Sequence, residues 1–257
     1  MRLQSQTAIF LFLAGALGGA INAVAGGGSF IAFPALLFSG VAPVPANATN
    51  TFALWAGVLA SGGAYRKRLA VTRRILLPLL ASSLCGGLAG AFLLIRTPAE
   101  TFLRVLPWLL LGATLLFAFG PKLTGRLRAR VFHEATAAAI VLATVFELAV
   151  AVYGGYFGGG IGIMNLAMLA VLGMSDIHEM NALKVVLGGT INGVATLTFI
   201  VSRAIAWPQG ITMTAGAMLG GYLSAHYAQK LPQTWIRSFV VIVGAGMTAY
   251  FFWRGYR

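Results

Sequence analysis

The side chains in this chain that could do chemistry are few, and most lie beside two runs of glycine. Gly26-Gly27-Gly28 follows Gly18-Gly19 and Asn22, and precedes Asn47, Thr49, Asn50 and Thr51. Gly158-Gly159-Gly160 follows Gly154-Gly155, and precedes Asn165, Asn181, Lys184 and Asn192. A short apolar stretch follows each run, ending at Gly40 in the first copy and at Gly173 in the second. Glycine weakens a helix interior by roughly 1 kcal/mol per residue, so three in succession are expected to unwind one. Unwinding frees backbone N–H groups and begins a new helix N-terminus, and both attract anions. Gly27, Gly28, Gly159 and Gly160 are therefore candidate anion-binding positions, with Asn22, Asn47, Asn50, Asn181 and Asn192 as candidate hydrogen-bonding partners. Lys184 is the sharpest single candidate, because it could supply the positive charge that an anion needs. It shares a helix face with Asn181, three residues earlier. Snorkelling to an interface is the competing reading for the lysine, and hydrogen bonding between helices is the competing reading for the asparagines.

Glu147 is the one acid well inside an apolar segment, where it could pair with Lys184 or another base, or carry a proton. His178, with Asp176 and Glu179, could sense or relay protons, although a solvated loop or a helix cap explains Asp176 equally well. His226 reads as interfacial, and His133 belongs to a basic loop. Neither glycine triplet is followed by Lys-Ser/Thr in a strand–loop–helix setting, which excludes a phosphate-binding loop. No serine sits in a Gly-x-Ser-x-Gly setting, and five carboxylates in all leave little material for a hydrolase. The single cysteine, Cys85, beside Gly86-Gly87, has no partner for an intramolecular disulfide, and no cysteine–histidine cluster suggests a metal. No cofactor is expected.

The elements that must position these residues are membrane helices. Hydrophobic residues make up 59% of the 257 residues and charged residues 9%; soluble domains carry about 25% charged. The net charge of +13 would suggest nucleic-acid binding in a soluble protein. Here the basic residues gather in two short loops (Arg66, Lys67, Arg68, Arg73, Arg74, then Lys122, Arg126, Arg128, Arg130), as the positive-inside rule requires of cytoplasmic loops. Apolar segments fall at 7–25, 29–40, 46–65, 75–95, 101–120, 134–157, 160–173, 180–202, 208–228 and 233–253. More segments follow the first at once, so a retained span is expected there and not a cleaved leader. The stretches 29–40 and 160–173 are too short for a straight crossing of ~20 residues, and read as half-helices buried in protein. The expected fold is all-α and polytopic, with eight to ten transmembrane segments.

The glycine block is part of a longer repeat. Asn47 and Asn181, Gly86-Gly87 and Gly220-Gly221, Pro98 and Pro232, and Gly112 and Gly246 all lie 134 residues apart, with only the triplets slipping by two. Residues 1–122 form one repeat, 123–133 a basic cytoplasmic linker, and 134–257 the second repeat. With both basic loops inside, an odd number of crossings per half gives inverted repeats with both termini outside. An even number gives parallel ones.

Gly18-Gly-Ala-Ile-Asn-Ala-Val-Ala-Gly-Gly-Gly-Ser-Phe with Pro34-Ala-Leu-Leu resembles the first signature of the sulfite exporter TauE/SafE family. Tyr153-Gly-Gly-Tyr-Phe-Gly-Gly-Gly-Ile-Gly and Asp176-Ile-His-Glu-Met-Asn-Ala-Leu-Lys184 resemble its second. The likeness covers essentially the whole chain, although the second copy lacks a counterpart of Pro34. It implies a carrier of small sulfur-containing anions, sulfite or organosulfonates, in a bacterial inner membrane. The expected function is export by alternating access around a midplane site, with the bilayer and the anion as partners and no nucleic acid; homo-oligomerisation stays open. An anion pore and a membrane scaffold without transport are the alternatives.

Overall fold

The computed structural model of the chain describes residues 4–61, 72–128, 136–174, 176–227 and 233–256. Arg66, Lys67, Arg68, Arg130 and His133 lie outside the described residues, as do the side chains of Lys122, Arg126, Arg128, His178 and His226. Ten helices make up the described fold: α1 (Ser5–Ala25), α2 (Ser29–Phe38), α3 (Pro43–Ser61), α4 (Arg73–Arg96), α5 (Ala99–Arg128), α6 (Ala137–Tyr156), α7 (Ile161–Val171), α8 (Ile177–Val201), α9 (Trp207–Tyr227) and α10 (Gln233–Gly255). Among the described residues, five helices are long and apolar enough to cross a membrane: 5–23, 73–96, 99–120, 137–156 and 179–201. Their outward faces carry Ile9, Leu142, Val145 and other large exposed apolar side chains, as expected of a surface solvated by lipid.

The two glycine runs do break helices. Gly26 closes α1 in the left-handed region (φ 79°), and its N–H bonds back to the carbonyls of Ile21 and Asn22. Gly158 and Gly160, at φ 83° and 84°, separate α6 from α7. The short helices that follow, α2 with 10 residues and α7 with 11, are the half-helices expected from their length.

Packing follows a rule: exchanging each helix for the one five places along reproduces the main contacts of the map. α1 packs on α9 and α6 on α4; α3 packs on α9 and α8 on α4; α5 packs on α10, and α3 on α8. The close contacts repeat in detail. A Cβ on Gly221 would stand 2.9 Å from the Gly57 carbonyl oxygen, and one on Gly87 3.1 Å from that of Ile191. Each residue of the first pair lies 134 positions from its counterpart in the second. Small residues let these backbones meet without cavities, as membrane helix interfaces require.

The same map shows that the sequence repeats and the packed bundles do not coincide. α9 lies against α1 and α3, and α4 lies against α6 and α8. One bundle therefore comprises α1, α2, α3 and α9, and the other α6, α7, α8 and α4, each completed by a helix from the opposite half. α5 and α10 form a third pair.

Candidate functional site

A cavity of about 100 Å³ opens between the two bundles at the level of both helix breaks. One side is lined by the end of α1 (Asn22, Ala23, Gly26), by Ser29 and by Thr51, Leu54, Trp55 and Val58 of α3. The other is lined by Phe157, Gly158, Ile161 and Gly162, with Lys184, Val185, Gly188, Gly189 and Asn192 of α8. The lining obeys the repeat: Thr51 faces the role of Val185, Leu54 that of Gly188, Trp55 that of Gly189 and Val58 that of Asn192, each 134 residues on. Gly26 and Gly158, Ser29 and Ile161, follow the shorter shift of the glycine block.

Lys184 is the only charged residue among these lining residues. Its stem lies over Gly162, where a Cβ would stand 3.3 Å from Cδ. Its counterpart Asn50 does the equivalent in the other half: Nδ2 donates to Ser29 Oγ at 3.1 Å. Each residue thus reaches back to the first turn of its own short helix. First-turn amides lack an intrahelical acceptor, and Ser29, Ile161 and Gly162 bring those turns of α2 and α7 to the cavity wall. A small anion there would meet an ammonium group, two carboxamides, two hydroxyls and two helix N-termini, and no carboxylate from the lining.

The sequence candidates divide into three groups. Asn22, Lys184 and Asn192 line the cavity directly. Asn47 and Asn50 are buried one layer behind it; Asn47 Nδ2 donates to the Tyr156 carbonyl at 2.8 Å and so ties α3 to the end of α6. Asn181, a turn before Lys184 on α8, is not in the lining. Of the triplet glycines, Gly26 and Gly158 reach the cavity. Gly27 packs on Phe117 and Val240, and Gly28 on Gly18 and Asn22. Gly159 offers its carbonyl to Tyr153 OH at 2.7 Å, and Gly160 forms the N-terminal cap of α7.

Glu147 stands apart, in the seam between α6 and α4. It is 0% exposed. Its Oε1 accepts from Ser83 Oγ at 2.6 Å, while Oε2 has no hydrogen-bond partner. Its partner is therefore Ser83 and not Lys184. The side chain of His178, in the first turn of α8, lies outside the described residues.

Similarity to known proteins extends over most of the chain. The model of the family described as "Sulfite exporter TauE/SafE" matches residues 11–251. The chain belongs to that family. It is 32% identical over 240 residues to a "Probable membrane transporter protein" of Haemophilus influenzae, covering 93% of this chain and 92% of the relative. It is 28% identical over 239 residues to "Probable membrane transporter protein YfcA" of Escherichia coli K12, covering 93% and 87%. A "Probable membrane transporter protein ORF9" of Sinorhizobium is 28% identical over 241 residues, covering 93% and 89%. No solved structure matches the chain.

Ser29, Trp55, Gly162, Gly188 and Gly189 are TauE/SafE cavity residues that sequence reasoning did not select. Ser29 and Gly162 could have been found from their places next to the triplets. Trp55 and Gly189 could have been found by extending the 134-residue shift.

Proposed function

We propose that this TauE/SafE protein is a secondary transporter of small anions, with sulfite or an organosulfonate as substrate, in a bacterial inner membrane. The observation that carries the proposal is the cavity: it lies at both helix breaks, between two bundles, and among the described residues Lys184 is the only charged one in its lining. A largely apolar, carboxylate-free pocket with one cation and a few hydrogen-bonding groups suits an anion and disfavours a cation. Lys184 supplies the charge, Asn22, Asn192 and Ser29 supply hydrogen bonds, and the first turns of α2 and α7 supply amides. Asn50 orients Ser29, Asn47 holds the end of α6, and Asn181 supports Lys184 from the preceding turn.

The exchange symmetry of the helix packing supports two structural repeats, here proposed as inverted about the cavity. Alternating access then moves the bundle of α1, α2, α3 and α9 against that of α6, α7, α8 and α4. With no nucleotide-binding loop in the sequence, an ion gradient or the membrane potential drives the cycle. Glu147 is the proposed proton carrier, and His178 a second coupling group near the start of α8.

The test is uptake of labelled sulfite into proteoliposomes. Saturable uptake with counterflow is expected, together with at least a tenfold loss in Lys184→Ala and a partial loss in Lys184→Arg. Non-saturating flux would replace the carrier by a pore. Full flux of every anion in Lys184→Ala would remove the cavity as the site.

A further inference from the structure

We infer that Trp55 sets the upper size limit of the anion that the cavity accepts; this rests on the cavity being the substrate site. Leu54, Trp55 and Val58 give the α3 wall of the cavity its bulk. Their counterparts on α8 are Gly188, Gly189 and Asn192, so opposite Leu54 and Trp55 the wall is bare backbone. Lys184, Gly188 and Asn192 succeed one another at four-residue steps and so share one helix face. The cation and the carboxamide therefore stand at the two ends of a glycine stripe.

The indole lies against that stripe. Its Nε1–H donates to the Gly189 carbonyl at 3.0 Å. A Cβ on Gly193 would stand 3.2 to 3.3 Å from the ring, so the ring rests on bare backbone. Two contacts thus fix the ring, by its edge and by its flank, and turning it away would forfeit the N–H bond that a tryptophan in an apolar setting normally keeps. With the indole in place about 100 Å³ remains, less than the roughly 150 Å³ that holds one benzene molecule in an engineered apolar cavity. That space takes a compact oxyanion held between Lys184 and Asn192. An organic substituent of several carbons on the same anion needs the volume that the ring occupies.

A homologous series of anions tests this in proteoliposomes: sulfite, methanesulfonate, propanesulfonate and benzenesulfonate. Wild type is expected to lose rate steeply along the series. Trp55→Ala is expected to raise the propanesulfonate-to-sulfite ratio of kcat/KM at least tenfold, because one methylene in a tight pocket is worth about 10- to 200-fold. Trp55→Phe is expected to shift the ratio in the same direction by less, and serves also if the alanine variant does not fold. An unchanged ratio with sulfite flux retained overturns the inference, as does an equal loss for all four anions. Full flux in Lys184→Ala is a separate result that overturns the site itself.

Discussion

At the scale of residues, the cavity carries asymmetry on a symmetric frame. Lys184 and Asn50 occupy equivalent places, and each touches the start of a short helix. Only one carries charge, so the cavity holds one cation where a strict two-fold design would hold two or none. Gly162 is what allows the Lys184 stem to lie where it does. Gly162→Ala would press a Cβ to 3.3 Å of Cδ, and is expected to raise KM for the anion several-fold with a smaller change in kcat, read from concentration-dependent uptake. Glu147 is asymmetric in the same sense. By the shift that relates the triplets its counterpart is Gly15, packed on the Met213 carbonyl, and the counterpart of Ser83 is Ala217. The fold therefore closes this kind of seam without an acid, and a buried carboxyl with an unpaired oxygen is costly to keep. Glu147→Gln is expected to retain counterflow while a pH gradient no longer drives accumulation. Accumulation that still follows the gradient in that variant would remove Glu147 from coupling.

At the scale of elements, glycine has two separable duties, and at some positions neither. At Gly26, Gly158 and Gly160 it supplies positive φ and ends a helix. In the seams it permits contact: a Cβ on Gly90 would fall 2.1 Å from the Val152 carbonyl oxygen, and one on Gly220 1.9 Å from that of Ala16. At Gly112 and Gly246, another pair from the repeat, nothing lies within 4 Å. Gly90→Ala is therefore expected to destabilise by about 1–3 kcal/mol through overpacking, seen as a lower Tm in detergent. Gly112→Ala and Gly246→Ala are expected to be neutral or to stabilise by up to about 1 kcal/mol, since each gains helix propensity without a clash. Sequence spacing set the triplets apart as helix breaks from the remaining glycines. Their duties differ because a neighbouring backbone lies against some and not others.

At the scale of the molecule, the moving parts proposed for transport are bundles assembled across the two halves of the chain. Trp55 to Gly189, and Asn47 to Tyr156, are hydrogen bonds that cross from one bundle to the other. In a Cys85→Ser background, cysteines at Val58 and Asn192 joined by a short bifunctional maleimide are expected to arrest uptake, because both residues face the cavity from opposite bundles. A bridge between α1 and α9 lies within one bundle and is expected to leave uptake intact. Equal inhibition by both bridges would mean that the bundles are not the moving units.

The sequence by itself determined the helical membrane class, the two helix breaks and the 134-residue repeat, because these follow from composition, backbone freedom and spacing, which are local or periodic properties. It also placed Asn22, Lys184 and Asn192 among the candidates, since polar groups are conspicuous in an apolar chain. It singled out Gly27, Gly28, Gly159 and Gly160, whereas Gly26 and Gly158 are the triplet glycines that line the cavity. It did not show that Glu147 turns to Ser83, or that Trp55 lies on the glycine face of α8. Those outcomes depend on which helices meet, and α4 and α9 each pack into the bundle formed by the other half. Only tertiary structure decides such pairings, because small residues make many helix contacts sterically open and a single set of them buries the chain together.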